Sequence, residues 1–235
     1  MKVYQVLVFI FLITFITSPF IASASSEWND DEVRTYEVAN FNKIYLEGGY
    51  KVILEQSDKP GLRIKADEDA FEYIDVEGDD ETLRLKIKKK HFDFESLVLY
   101  ISFVDLEELH IEGGVKLETK GYVDLTDFYL HVEGGAKIEM EMKVDRLDVV
   151  GEGGVSFDFK GVAKKIDIKI SGAGHLDAGD LKAEWVSFGI EGVGGGSVYA
   201  TEYLRATIEG VGKIRYKGNP ELHKEISGIG FVSRD

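Results

Sequence analysis

LHIEGGVKL (109–117) is followed by LHVEGGAKI (130–138), VVGEGGVSF (149–157), IKISGAGHL (168–176), FGIEGVGGG (188–196), ATIEGVGKI (206–214) and EISGIGFV (225–232). Their leading glycines stand at 113, 134, 153, 172, 192, 210 and 228, so successive copies are offset by 21, 19, 19, 20, 18 and 18. One more copy, IYLEGGYKV (44–52), stands apart near the front. A regular period of this kind marks stacked supersecondary units, none of which buries its apolar face alone. The step is too short for a βαβ unit of about thirty residues. It suits one coil of a β-solenoid. The expectation is an all-β chain built as a right-handed β-helix-like stack of short coils, with about 20 residues per repeat.

Strand alternation assigns the faces. Leu109, Ile111, Gly113, Val115 and Leu117 point one way, and His110, Glu112, Gly114 and Lys116 the other. The same alignment turns Leu130, Val132, Gly134, Ala136 and Ile138 inward in the next copy. Glycine in the middle of that column implies a positive φ at a corner or bulge, or close approach of backbone layers.

Upstream, RTYEVANF (34–41), KIYLEGGYKVILEQ (43–56) and LRIKAD (62–67) alternate as half-buried strands, with a turn at Asp58-Lys59-Pro60-Gly61. Gly78-Asp79-Asp80 joins strands around 74–76 and 83–87, and Glu68 to Tyr73 forms one short helical turn. SLVLYISF (96–103) alternates less, as a strand covered on both faces does.

Residues 1–24 read as a signal peptide. Lys2 precedes the apolar run 3–17, Pro19 breaks it, and Ala22-Ser23-Ala24 supplies a small-x-small cleavage site, which favours removal over retention as an anchor. A flexible lead-in (25–32), an N-terminal β region (33–108) and the repeat coils (109–235) follow, with 33–235 one continuous domain. The protein is therefore expected to be exported to the periplasm, cell surface or medium, and not membrane-embedded after cleavage. The chain has no cysteine, so disulfides and thiolate metal sites are excluded. A net charge of -15 argues against a nucleic-acid partner, which needs a basic stripe.

FNKIYLEGGYKVILEQ (41–56), the hairpin-like DVEGDDETLRLKIK (75–88) and the EGG or SGxG repeats ending in SGIG (227–230) resemble the putative auto-transporter adhesin, head GIN domain family of secreted Bacteroidetes proteins. The resemblance runs over about 33–235. It implies an all-β, β-helix-like fold and an exported location, and it brings no catalytic residues with it.

One surface patch has metal-ligand chemistry. If neighbouring copies stack in register, His110 lies beside His131 and Glu112 beside Glu133 at strand spacing, and two imidazoles with two carboxylates suit a divalent ion such as Zn²⁺. Ordinary outward polar residues account for the same column. The acidic column Glu112, Glu133, Glu152, Glu191 and Glu209 lacks the Asp-rich loops of calcium sites, and serine interrupts it at 171 and 227. Gly192-Val193-Gly194 and Gly210-Val211-Gly212 lack the third glycine and the helix of a dinucleotide loop. Trp185, with Phe188 and Tyr199, is a candidate aromatic platform for a sugar, against the commoner fate of core packing.

These features point to an exported non-enzymatic binding or structural module, with cell-surface adhesion as its role and no cofactor. An extended polysaccharide or a protein at the cell surface suits the flat faces of a solenoid. The alternatives are a carbohydrate-active β-helix enzyme, by fold-level analogy only, and a divalent-metal-binding envelope protein.

Overall fold

The computed structural model describes residues 31–88 and 96–235. The expected signal peptide, Trp28, most of the expected lead-in and the basic run beyond Lys88 lie outside the described residues.

The fold is all-β. β1 (Asp31–Tyr36), β2 (Lys43–Gln56), β3 (Gly61–Asp67), β4 (Ile74–Gly78), β5 (Thr82–Ile87), β6 (Val98–Phe103), β7 (Glu108–Lys217) and β8 (Glu221–Arg234) join one hydrogen-bonded sheet. Among the described residues a single 3₁₀ turn, Glu68–Tyr73, carries Ala70 and Phe71 into the core. β1 begins inside the stretch expected as lead-in, pairing antiparallel with β3 from Asp31 onward. No helix among the described residues is long and apolar enough to cross a membrane.

β2 organises the front. Its first arm pairs in parallel with β5 and its second arm with β6, either side of Gly48 at φ 133°. Along its other edge β2 pairs in parallel with the start of β7, from Lys43↔Glu108 through Gly48↔Gly113 to Leu54↔Thr119. The copy that stands apart in sequence is thus the direct neighbour of the copy at 109–117. β3 and β4 flank this unit as antiparallel strands, on β6 and β5 respectively.

β7 holds strand geometry for 110 residues. Run straight, it would measure roughly 360 Å, so the ribbon has to turn repeatedly. The leading glycines mark one set of turns: Gly113, Gly134, Gly153, Gly172, Gly192 and Gly210 all have φ between 104° and 125°. A Cβ at Gly134 would lie 2.4 Å from the Gly113 carbonyl oxygen, one at Gly153 2.5 Å from that of Gly134, and one at Gly172 2.7 Å from that of Gly153. Backbone rests on backbone from copy to copy. At the far end β8 pairs in parallel with Tyr203–Tyr216 of β7 and repeats the contact, Gly228 against Gly210.

The apolar column follows the expected alternation with one change. Leu109, Ile111, Val115 and Leu117 are buried, as are Leu130, Val132, Ala136 and Ile138. The leading glycines do not share that core: Gly134, Gly153 and Gly172 are exposed. A positive-φ residue redirects the chain, so alternation stops at the glycine and resumes beyond it. β8 covers the far end incompletely, leaving Ile229 74% and Phe231 53% exposed.

Candidate functional site

Parallel register lines up outward side chains across the strands, one per strand, about 4.8 Å apart. One such row is Arg84 on β5, Tyr45 on β2 and His110 on β7, with Tyr45 paired to both neighbours. The Tyr45 and His110 rings stack with centroids 4.5 Å apart and planes 1° from parallel. The Arg84 guanidinium sits 4.2 Å over the other face of Tyr45. His131, from the next copy, extends the row with its ring 5.5 Å from His110. A cation held over a ring in this way contributes about 0.5–1 kcal/mol at an exposed position.

Glu108 ties the row together. Its Oε1 accepts a hydrogen bond from the Tyr45 hydroxyl at 3.1 Å and lies against His110 Nε2. Burial pushes the Glu108 carboxyl upward, but the contacts with His110 and Tyr45 outweigh it and hold the group below the usual carboxylate range. Tyr45 is shifted the other way, by burial first and then by its bond to Glu108, so its hydroxyl remains a donor. Tyr129, next to His131, is also raised by burial.

A cavity of about 200 Å³ opens beside the row, bounded by Tyr45, Arg84 and His110 and by the carboxylates of Asp75, Glu77 and Glu112. Lys86, which pairs with Glu47 at 2.6 Å, closes one side. The site therefore offers a fixed ring edge, a guanidinium free along its N–H edges and several carboxylates.

Of the four residues expected as metal ligands, His110 and His131 come together with ring centroids 5.5 Å apart, and Glu133 lies beside His131. His110 takes Glu108 as its carboxylate partner, and Glu112 borders the cavity. His131 Nδ1 lies 3.3 Å from the Tyr129 hydroxyl. Its Nε2 lies 3.2 Å from Glu133 Oε1, yet the alignment is too poor for a hydrogen bond and that nitrogen is buried without a partner. Among the described residues no three His, Asp or Glu side chains gather as a metal centre requires. In the acidic column, Glu191 is neutralised by Lys169 at 2.7 Å and accepts from Ser171 at 3.2 Å.

Sequence reasoning overlooked Tyr45, Arg84 and Glu108. Aligning IYLEGG with LHIEGG puts Tyr45 over His110, so that pair was open to detection. Arg84 joins through β5, whose sequence carries no copy of the motif. The aromatic grouping also differs: Phe188 is fully buried, Tyr199 lies 6.0 Å from the Lys182 ammonium, and Trp185 packs against Tyr203.

A family model described as putative auto-transporter adhesin, head GIN domain matches residues 40–220. The chain belongs to that family. Its fold is shared by a putative adhesin from Bacteroides fragilis NCTC 9343, at 25% identity and TM-score 0.82, covering 88% of this chain and 98% of that one. A putative lipid binding protein from Parabacteroides distasonis ATCC 8503 matches at 23% identity and TM-score 0.67, covering 88% and 97%. A putative adhesin from Parabacteroides merdae ATCC 43184 matches at 23% identity and TM-score 0.63, with the same coverage of each chain. No curated protein matches the chain.

Proposed function

We propose that this protein is an exported, non-enzymatic binding module that acts in adhesion at the cell surface, and that its repeats wind as a β-solenoid. The solenoid reading is supported by the parallel registers at both ends of β7 and by the glycine contacts from each copy to the next. The right-handed sense follows the general preference of parallel crossovers. The adhesion role draws on family membership and on the relative from Bacteroides fragilis, described as a putative adhesin.

The observation that carries the binding reading is the rigid row Arg84–Tyr45–His110–His131 beside its cavity. Side chains locked by stacking and by Glu108 lose little freedom when a partner docks, so contact energy goes into affinity. An extended polysaccharide or an extended protein segment running across the strands would meet one new side chain at each layer. The exported location rests on the signal peptide expected over 1–24.

The test is to incubate the chain from residue 25 onward with purified surface polysaccharides, following retention by affinity electrophoresis and cleavage by release of reducing ends. Retention without cleavage is expected. Turnover of any polysaccharide would replace this reading with the carbohydrate-active enzyme.

A further inference from the structure

A second patch lies on β7, away from the Tyr45 row. Trp185 keeps 49% of its surface open. Its ring is 5.1 Å from that of Tyr203 in the following copy, tilted by 30°. With Lys165, Asp167, Ser187 and Arg205 they line a shallow depression of about 210 Å³. The glycine contacts Gly192 on Gly172 and Gly210 on Gly192 fix the alignment of these copies. That alignment puts Lys165, Trp185 and Tyr203 in one cross-strand row and Asp167, Ser187 and Arg205 in the next.

The polar groups here are unengaged. Among the described residues Lys165, Asp167, Ser187 and Arg205 make no side-chain hydrogen bond or ion pair. Charged neighbours on the same ribbon do, as in Lys164–Asp145 and Lys169–Glu191, both at 2.7 Å. A half-open indole beside a carboxylate acceptor, a hydroxyl and a guanidinium fork is the chemistry that recognises a ring bearing C–H groups on one face and hydroxyls around its rim. Asp167 and Arg205 are two strand spacings apart, about 10 Å, which spans roughly two linked sugar rings.

We propose that Trp185 and Tyr203 form a carbohydrate-binding platform, with one pyranose ring on the indole and the hydroxyls of that ring and its linked neighbour held by Asp167, Ser187 and Arg205. This rests on the binding-module reading but gives it a ligand class and a separate place on the molecule.

Tryptophan fluorescence tests it. The chain holds two tryptophans, Trp28 and Trp185, so a Trp28→Phe protein from residue 25 onward isolates the signal. It is titrated with hexasaccharides of glucose (α- and β-linked), xylose, mannose and N-acetylglucosamine. A saturable change with at least one probe is expected, weakened about tenfold or more by Arg205→Ala. Affinity electrophoresis should show the same ligand released by Trp185→Ala and retained by Lys143→Ala, whose lysine sits in an exposed ion pair with Asp124 outside the depression. No fluorescence change with any probe, or equal retention by Trp185→Ala, overturns the proposal. Surface binding that persists while every probe fails would remove this platform and leave the binding-module reading standing. Binding kept for a probe but absent from cell surfaces would keep the platform and remove the adhesion role.

Discussion

Two glycines side by side show what the repeat demands of single residues. Gly134 has φ 124°, and a Cβ there would sit 2.4 Å from a backbone carbonyl oxygen that cannot move aside. Gly135 has ordinary φ and nothing within 4 Å of its Cβ position. Gly134→Ala should therefore cost about 3 kcal/mol or more, combining backbone strain with a clash between layers. Gly135→Ala should stay within about 0.5 kcal/mol. Chemical denaturation of both variants checks the contrast. Tyr50 makes the opposite case. It is fully buried and its hydroxyl has no partner, and burial drives the group far above the usual tyrosine range. Tyr50→Phe should raise stability by about 1 kcal/mol. Because the folded-state shift is upward, Tyr50 leaves stability level below about pH 10 and lowers it as pH climbs beyond that, where the unfolded chain's tyrosine ionises first. The phenylalanine variant should lose less on alkaline titration, read by the shift of its melting temperature.

At the scale of elements, local pattern located most strands. Alternation over 43–56 matches β2, and Glu68–Tyr73 is the helical turn that its sequence suggests. Pairing across distance was harder to read. Nothing in LRLKI states that Arg84 will lie on Tyr45, because that contact depends on β5 adding to an edge of β2. Likewise Trp185 pairs with Tyr203 because Tyr203 stands one full repeat step further along, whereas Tyr199, nearer in sequence, falls under a different neighbour. The sense of the leading glycine was half legible: its positive φ follows from its residue type, while its exposure depends on where the ribbon turns. The Tyr45 row also gives the site a pH signature. The Glu108 carboxyl is held low, so its contribution to stability is present above about pH 4.3 and fades as pH falls through its lowered folded-state value. Glu139 and Asp177, held low chiefly by Lys137 and Ser197, act in the same direction. Melting temperature should be level near neutrality and fall below about pH 4, and Glu108→Gln should flatten that fall.

For the whole molecule, the proposed winding turns a short repeated segment into a tall face whose rows can be varied residue by residue without disturbing the core. The buried columns are filled by Leu, Ile, Val and Phe, while outward rows carry the differences between copies. A net charge of -15 keeps such a body soluble and adds repulsion toward acidic surfaces. The proposed binding to a cell surface therefore has to come from placed groups such as the stacked Arg84–Tyr45–His110 row. The most direct measurement is retention of the chain from residue 25 onward on isolated cell-surface material, compared with Arg84→Ala, Tyr45→Ala and Lys143→Ala. The account predicts that either change in the row weakens retention about tenfold, with folding intact by circular dichroism and Lys143→Ala unchanged. Equal retention by all four proteins would contradict it.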